Sequence, residues 1–187
     1  MRIPLAVLLA AMPLAAAEAQ HTHRQHGAHE HGKGTLDIAY EGGKLQMELR
    51  APADDIVGFE HAARTKAQKA AVAKAIARLS DPMQVLGFPK EAGCKATSAQ
   101  AERHADTHKK EKGKGHGHAH GHEEVHAEFH ATYVIECKAM AGLARLTLPY
   151  FKVFPRARRL EVNIVTGKGQ WKENVGRGES VPLGDRL

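Results

Sequence analysis

Apolar and polar residues alternate along several short stretches of the chain, a pattern typical of β-strands with one buried face. Two alternating runs between residues 35 and 50 flank Gly42-Gly43, which predicts a β-hairpin. The alternation returns from residue 126, where Phe129, Tyr133 and Ile135 share one face. Further strands are predicted at 143–148, 160–166 and 169–175, with a short helix or turn at 149–155.

One stretch has helical periodicity instead. Residues 59–79 are rich in alanine, Val72, Ile76 and Leu79 recur at helical spacing, and Ser80-Asp81-Pro82 follows as a stop. This pattern predicts the main α-helix of the chain.

Residues 99–124 contain no hydrophobic side chain larger than alanine. Such a segment cannot bury enough surface to offset the entropy of ordering it, so we expect a mobile loop in the absence of metal. The expected fold class is α+β, with a mostly antiparallel β-sheet, one main α-helix and a long disordered histidine-rich insertion.

The amino terminus has the features of a secretory signal peptide. Arg2 precedes an apolar run that is too short to span a bilayer comfortably, and Ala17-Glu18-Ala19 offers small residues at a cleavage site. We expect residues 1–19 to be removed on export to the periplasm, with a retained anchor as the alternative. Residues 20–187 then form a single domain without membrane insertion, with flexible histidine-rich segments at about 20–33 and 99–124.

The chain has two cysteines, Cys94 and Cys137, without CxxC spacing. In an oxidising compartment this favours one structural disulfide, which the chain-entropy model credits with about 4 kcal/mol. The alternative is a pair of thiolate metal ligands.

The formal net charge is +6, but aromatic residues make up only 5% of the chain and the cations are spread along it. An exported protein of this kind is not expected to bind nucleic acid.

Fourteen histidines are the most informative feature of the composition, because they are clustered. Imidazole nitrogen is a good ligand for zinc, and also for nickel and copper, so Zn²⁺ is the expected metal with Ni²⁺ and Cu²⁺ as alternatives. One cluster follows the cleavage site and contains His26, His29 and His31. A second lies in the insertion and comprises His104, His108, His116, His118, His120 and His122. The insertion should bind metal in several interchangeable arrangements, and a solubilising linker is the alternative.

A sharper candidate site is His126-x-Glu128-x-His130, because alternate residues of a strand share one face. A further donor could come from the amino-terminal cluster or from His61. The alternatives are a solvated face of an edge strand for His126 and His130, and a packed or capping role for His61.

One motif would indicate a zinc hydrolase. His122-Glu123-Glu124-Val125-His126 fits H-E-x-x-H, in which two histidines on a helix bind zinc and the glutamate acts as a base. Gly115, Gly117 and Gly121 weaken such a helix, and the residues that follow alternate like a strand. We therefore expect a metal-binding protein that is not an enzyme. A structural or interaction module whose histidines sense pH is a further alternative.

Several stretches together resemble the zinc-regulated periplasmic proteins called ZrgA-like. They begin with His-Gly-Ala-His-Glu-His-Gly at 26–32 and Ala-Pro-Ala-Asp-Asp-Ile-Val-Gly-Phe-Glu-His at 51–61. They continue at 126–137, in Pro-Tyr-Phe-Lys-Val-Phe-Pro at 149–155 and at 162–170. The resemblance implies a periplasmic zinc-binding accessory that works beside a zinc ABC importer and contacts its solute-binding protein. The ligand role that this resemblance implies transfers best to four histidines: His29, His31, His61 and His126.

Overall fold

A computed structural model of the chain describes residues 32–105 and 127–187. The strands are β1 (Lys33–Glu41), β2 (Lys44–Pro52), β3 (Cys94–Ala105), β4 (Ala127–Cys137), β5 (Arg145–Thr147), β6 (Arg159–Thr166), β7 (Gly169–Gly176) and β8 (Ser180–Pro182). The helices are α1 (Ala53–Val57), α2 (Lys66–Leu79), α3 (Pro82–Val85) and α4 (Tyr150–Val153). Short 3-10 turns lie at Lys90–Ala92, Met140–Gly142 and Gly184–Arg186.

Six strands form one sheet in the order β3-β4-β2-β1-β6-β7, and β5 pairs with β8 in a second, small sheet. In the large sheet β1 and β6 are parallel, and the other neighbours are antiparallel. This mixed but mostly antiparallel sheet with few helices agrees with the expected α+β class. The proposed insertion from residue 106 onward lies outside the described residues.

The β1–β2 hairpin is confirmed. Its turn is made by Gly42 and Gly43, whose φ angles of 57° and 79° lie in the left-handed region that glycine adopts without strain. The predicted strands at 160–166 and 169–175 correspond to β6 and β7, and the prediction at 143–148 is reduced to β5.

One face of the large sheet is buried under the helices, and the other is open and polar. Leu36, Ile38, Leu49, Phe129 and Ile135 are among the buried residues of the first face. The Tyr133 hydroxyl donates to the carbonyl oxygen of Leu79 over 2.8 Å, which fastens the end of α2 to β4. The open face is therefore the one left for polar side chains.

Residues 99–105 correct the sequence prediction, because they form the second half of β3 instead of a mobile loop. β3 is paired with β4 along its length and is an edge strand of the sheet. Ala99 lies opposite Tyr133, so a small side chain suffices where the large ring comes from the neighbouring strand, and Ala101 lies opposite another alanine, Ala131.

The main helix also begins later than predicted, at Lys66 and not near residue 59. Thr65 caps it: its hydroxyl accepts from the Gln68 amide, and the Gln68 side chain accepts from the Thr65 amide, both over 3.1 Å. Gly58, at a φ angle of 86°, ends α1 and separates the two helices.

The predicted disulfide between Cys94 and Cys137 is confirmed, and it joins paired residues at one end of β3 and β4. Among the helices of the described ranges, none has both the length and the apolar character needed to cross a membrane.

Candidate metal centre

The opposite end of the sheet is where both histidine-rich stretches of the sequence join the described chain. β3 ends at Ala105, β4 begins at Ala127, and these two residues are paired. β1 begins just after Gly32, whose amide donates to the buried Asp55 carboxylate over 2.7 Å. Because adjacent strands lie about 4.8 Å apart and β2 separates β4 from β1, the two attachment points are roughly 10 Å apart.

Two imidazoles and two carboxylates meet on the open face at this end, and we refer to Glu102, His104, Glu128 and His130 as the β3–β4 cluster. In the strand register His104 is opposite Glu128, and Glu102 is opposite His130. The rings of His104 and His130 have their centroids 4.4 Å apart. Nε2 of His104 is 2.8 Å from a Glu102 oxygen, and Nε2 of His130 contacts a Glu128 oxygen. The pairing of the strands thus brings two His–Glu pairs side by side.

The electrostatic surroundings of the cluster favour a cation. Glu128 is only 5% exposed, although a glutamate side chain ordinarily carries a negative charge at neutral pH. Arg50 lies opposite His130 on β2, but its guanidinium donates to Glu48 over 2.7 Å and is 4.0 Å from Asp37. The hydrogen bond to Glu48 raises the pKa of Arg50, and the negative charges of Glu48, Asp37 and Glu128 all act on its guanidinium group. Glu102 and Glu128 place two carboxylates beside the two imidazoles, so negative groups outnumber Arg50 at this end of the sheet.

His61 lies apart from the β3–β4 cluster. Its Nδ1 is 3.0 Å from the carbonyl oxygen of Ala62 and its ring stacks on Phe59, with centroids 5.0 Å apart. A proton on Nδ1 would donate to that carbonyl and leave the lone pair on the exposed Nε2, the arrangement common to metal-binding histidines. Arg103 fixes this loop by donating to the carbonyl oxygens of Glu60 and His61, over 2.5 and 3.0 Å. Because Arg103 and His104 are consecutive in a strand, they point to opposite faces of the sheet, and the loop lies on the helical side.

The remaining predicted ligands lie outside the described residues: His26, His29, His31, His108, His116, His118, His120, His122 and His126. The H-E-x-x-H motif lies there as well. Within 32–105 and 127–187, no set of three or more histidine, cysteine, aspartate or glutamate side chains is arranged to hold a metal ion. Cys94 and Cys137 are joined to each other, so the alternative of two thiolate ligands is wrong.

The sequence predictions missed Glu102 as a member of the site, together with the neighbouring Arg50. Glu102 falls in the stretch from residue 99 for which the sequence predicts a loop, and a loop does not fix the direction of its side chains. The alternation of Ala99 and Ala101 with Gln100, Glu102 and His104 was the available pattern, and it places the last three on one face.

Comparison with known proteins extends the picture beyond geometry. No curated protein matches the chain. The family described as ZrgA family zinc uptake protein matches residues 28–181, a range that contains His61 and all four residues of the β3–β4 cluster. This match covers most of the chain and confirms the resemblance found in the sequence. The chain therefore belongs to the ZrgA family of zinc uptake proteins.

Proposed function

We propose that the protein is a periplasmic zinc-binding accessory protein that captures, buffers or delivers zinc for a zinc ABC import system. The observation that carries this proposal is the β3–β4 cluster, where His104 and His130 lie side by side between two carboxylates. Its position supports the proposal further, because both histidine-rich stretches join the chain at the same end of the sheet.

The structured part of the zinc site is proposed to form from His104, Glu128 and His130, whose side chains would turn toward a common point when zinc binds, since they are not arranged to hold the ion as described. Zinc is usually bound by four nitrogen, oxygen or sulfur donors in a tetrahedral arrangement. We assign His126 as the next ligand, because it precedes Glu128 by two residues and alternate residues of an extended chain share a face. His29 and His31 are close in sequence to Gly32, so each is a candidate for the remaining position, whereas His61 lies on the other side of the sheet.

The histidines of the insertion are proposed to form a weaker and adaptable store. His108, His116, His118, His120 and His122 offer many equivalent donors between glycines and lysines. A chain that must be ordered when it binds metal loses part of the binding free energy to that ordering, so we expect these sites to release zinc more readily than the β3–β4 cluster. His26 would contribute to a similar store near the amino terminus.

The transport partner is proposed to be the solute-binding protein of a zinc ABC importer, and export by a cleavable signal peptide would place the two in one compartment. The family match supports a role in zinc uptake. Nickel or copper buffering is the closest alternative, and imidazole donors would bind copper more tightly than zinc at equal concentrations.

The protein is proposed not to be an enzyme, and Glu123 separates this proposal from a zinc hydrolase. In a hydrolase His122 and His126 would bind zinc and Glu123 would act as the base. The substitution Glu123→Gln would then abolish hydrolysis. In the storage and delivery role the same substitution leaves zinc affinity nearly unchanged, as a competition titration would show.

The proposed site is tested by measuring zinc affinity after the double substitution His104→Ala/His130→Ala. We expect the tightest site to weaken by at least about tenfold, the lower end of what even loss of a supporting residue costs a metal site. Gln100→Ala/Thr132→Ala is the matched control, because these residues form the next pair along the same face. Equal affinities in the histidine variant and the wild type would refute the assignment of this cluster.

A further inference from the structure

Three arginine side chains line a cavity at the same end of the sheet as the β3–β4 cluster. Its volume is about 490 Å³. The lining residues come from the start of β1, from α1 and from the segments that flank β6 and β7: Gly32, Asp54, Asp55, Pro155, Arg156, Arg158 and Arg177. Among the described residues this cavity is distinct from the β3–β4 cluster, since neither His104 nor His130 lines it.

Arg177 is held in place by neutral acceptors. Its Nε and Nη2 donate to the carbonyl oxygen of Ala157 over 3.3 and 3.0 Å, and Nη2 also donates to that of Pro155. Carbonyl oxygens orient a guanidinium group without cancelling its charge. Arg177 therefore offers a positive charge that needs little reordering to bind an anion.

Arg158 supplies a second cation at the wall of the cavity. Its side chain passes over Gly32, and its Cδ would be 3.0 Å from a β-carbon added there. Gly32 thus leaves room for the aliphatic part of the Arg158 side chain, and Arg158 is exposed to solvent.

The acidic groups around the cavity are already engaged. Asp54 is paired with Arg156 at 2.6 Å, and Asp55 accepts from the Gly32 amide. Glu179, beside the end of β7, accepts from the Gly176 amide over 2.5 Å. These amide bonds orient the carboxylates without cancelling their charge, but the three arginines outnumber the two aspartates that line the cavity and leave it with a net positive charge.

We propose that this cavity docks an acidic segment of a partner protein, with a carboxylate side chain held between Arg158 and Arg177. Arg158 can bind a carboxylate through paired hydrogen bonds and Arg177 through its remaining Nη1, and the net charge of +6 would draw an acidic partner to the surface. Asp54 and Asp55 also line the cavity, so a singly charged carboxylate is accommodated better than a phosphate that carries more charge.

The proposed docking site lies at the same end of the sheet as the proposed zinc site. The cavity includes Gly32 at the start of β1, roughly 10 Å from the start of β4 by strand spacing. A carboxylate held between Arg158 and Arg177 lies at the β6–β7 side of this end, roughly 15–20 Å from β4 by strand spacing. Docking itself requires no zinc.

The test is the binding of a fluorescein-labelled glutamate-rich peptide, followed by fluorescence anisotropy at low ionic strength with a zinc chelator present. We expect Arg158→Glu to weaken binding by about tenfold or more, because it replaces attraction with repulsion at the contact point. Lys74→Glu on the exposed side of α2 is the control. It makes the same change in net charge at a residue that does not line the cavity, so it should weaken peptide binding much less.

Equal losses in the two variants, or no binding by the wild-type protein, would overturn the docking site. Displacement of the peptide by inorganic phosphate, beyond the effect of chloride at equal ionic strength, would overturn the carboxylate assignment. Zinc stoichiometry and circular dichroism of Arg158→Glu should match the wild type. A failure of docking with intact zinc binding would leave the proposed function standing.

Discussion

Each imidazole of the β3–β4 cluster contacts a carboxylate two residues away on its own strand. His104 is paired with Glu102 and His130 with Glu128. A carboxylate beside an imidazole can orient the ring toward a metal ion or bind the ion itself. Glu128 is the more buried of the two carboxylates, so its charge is less screened by water.

The substitution Glu128→Gln should therefore weaken the tightest zinc site by about tenfold, since it removes a buried negative charge but keeps the shape. Competition titration against a zinc chelator measures this directly. Glu136→Gln is the control: it removes the same charge near the far end of β4, where Glu136 is paired with Lys44. Equal losses in the two variants would show that only overall charge matters.

The Tyr133 hydroxyl contributes to the stability of the fold through one buried hydrogen bond. Burial raises the pKa of Tyr133 well above its ordinary value, so its hydroxyl stays protonated and donates to Leu79. Tyr133→Phe leaves that carbonyl oxygen without its donor and should lower the free energy of unfolding by about 1–2 kcal/mol. Urea unfolding measures the loss. Tyr40→Phe at a half-buried position of β1 should cost much less.

At the scale of elements, the predictions succeeded where one face of a strand carries large apolar residues. The β1–β2 hairpin and β4 have that pattern, with Leu36 and Ile38 or Phe129 and Ile135. The sequence does not predict the second half of β3, because its inward positions 99 and 101 are half-buried alanines and the large apolar side chains come from β4. The sequence therefore does not predict that His104 lies in a strand, and its role as a metal ligand stays a prediction.

The start of α2 was also misjudged, because alanine-rich composition continues upstream of the capping residue. The capping box of Thr65 and Gln68 sets the boundary. Thr65→Ala should destabilise the protein by about 1 kcal/mol, and Thr65→Ser should restore most of it, since serine can accept the same hydrogen bond. Thermal unfolding of the three proteins would show this. Equal stability of all three would mean that the cap does not fix the helix.

At the scale of the whole molecule, β3 and β4 carry a stabilising disulfide at one end and the candidate metal ligands at the other. The disulfide joins the start of β3 to the end of β4, and the β3–β4 cluster lies at the opposite end of the two strands. From Cys137 to Glu128 the strand extends roughly 30 Å, given a rise of about 3.3 Å per residue. The disulfide therefore stabilises the strand pair without taking part in metal binding.

Cys94→Ala/Cys137→Ala should lower the free energy of unfolding by about 4 kcal/mol, the loop-closure contribution for this separation. Zinc stoichiometry at a temperature where the variant remains folded should equal that of the wild type. Chemical unfolding and a zinc titration on the same sample measure both quantities. A loss of zinc sites in the folded variant would contradict the structural role of this bond.

The central claim is that a tight zinc site belongs to the folded sheet and a weaker store to the insertion. It is tested most directly by zinc titration of a chain from residue 20 that lacks residues 106–122, a deletion that keeps His104 in β3 and also keeps His126. We expect fewer zinc ions but one surviving tight site, which weakens between about pH 7.5 and about pH 5.5 as imidazoles become protonated. That site should disappear with His104→Ala/His130→Ala. Loss of all tight binding on deletion, or a tight site that persists in the double variant, would contradict the account.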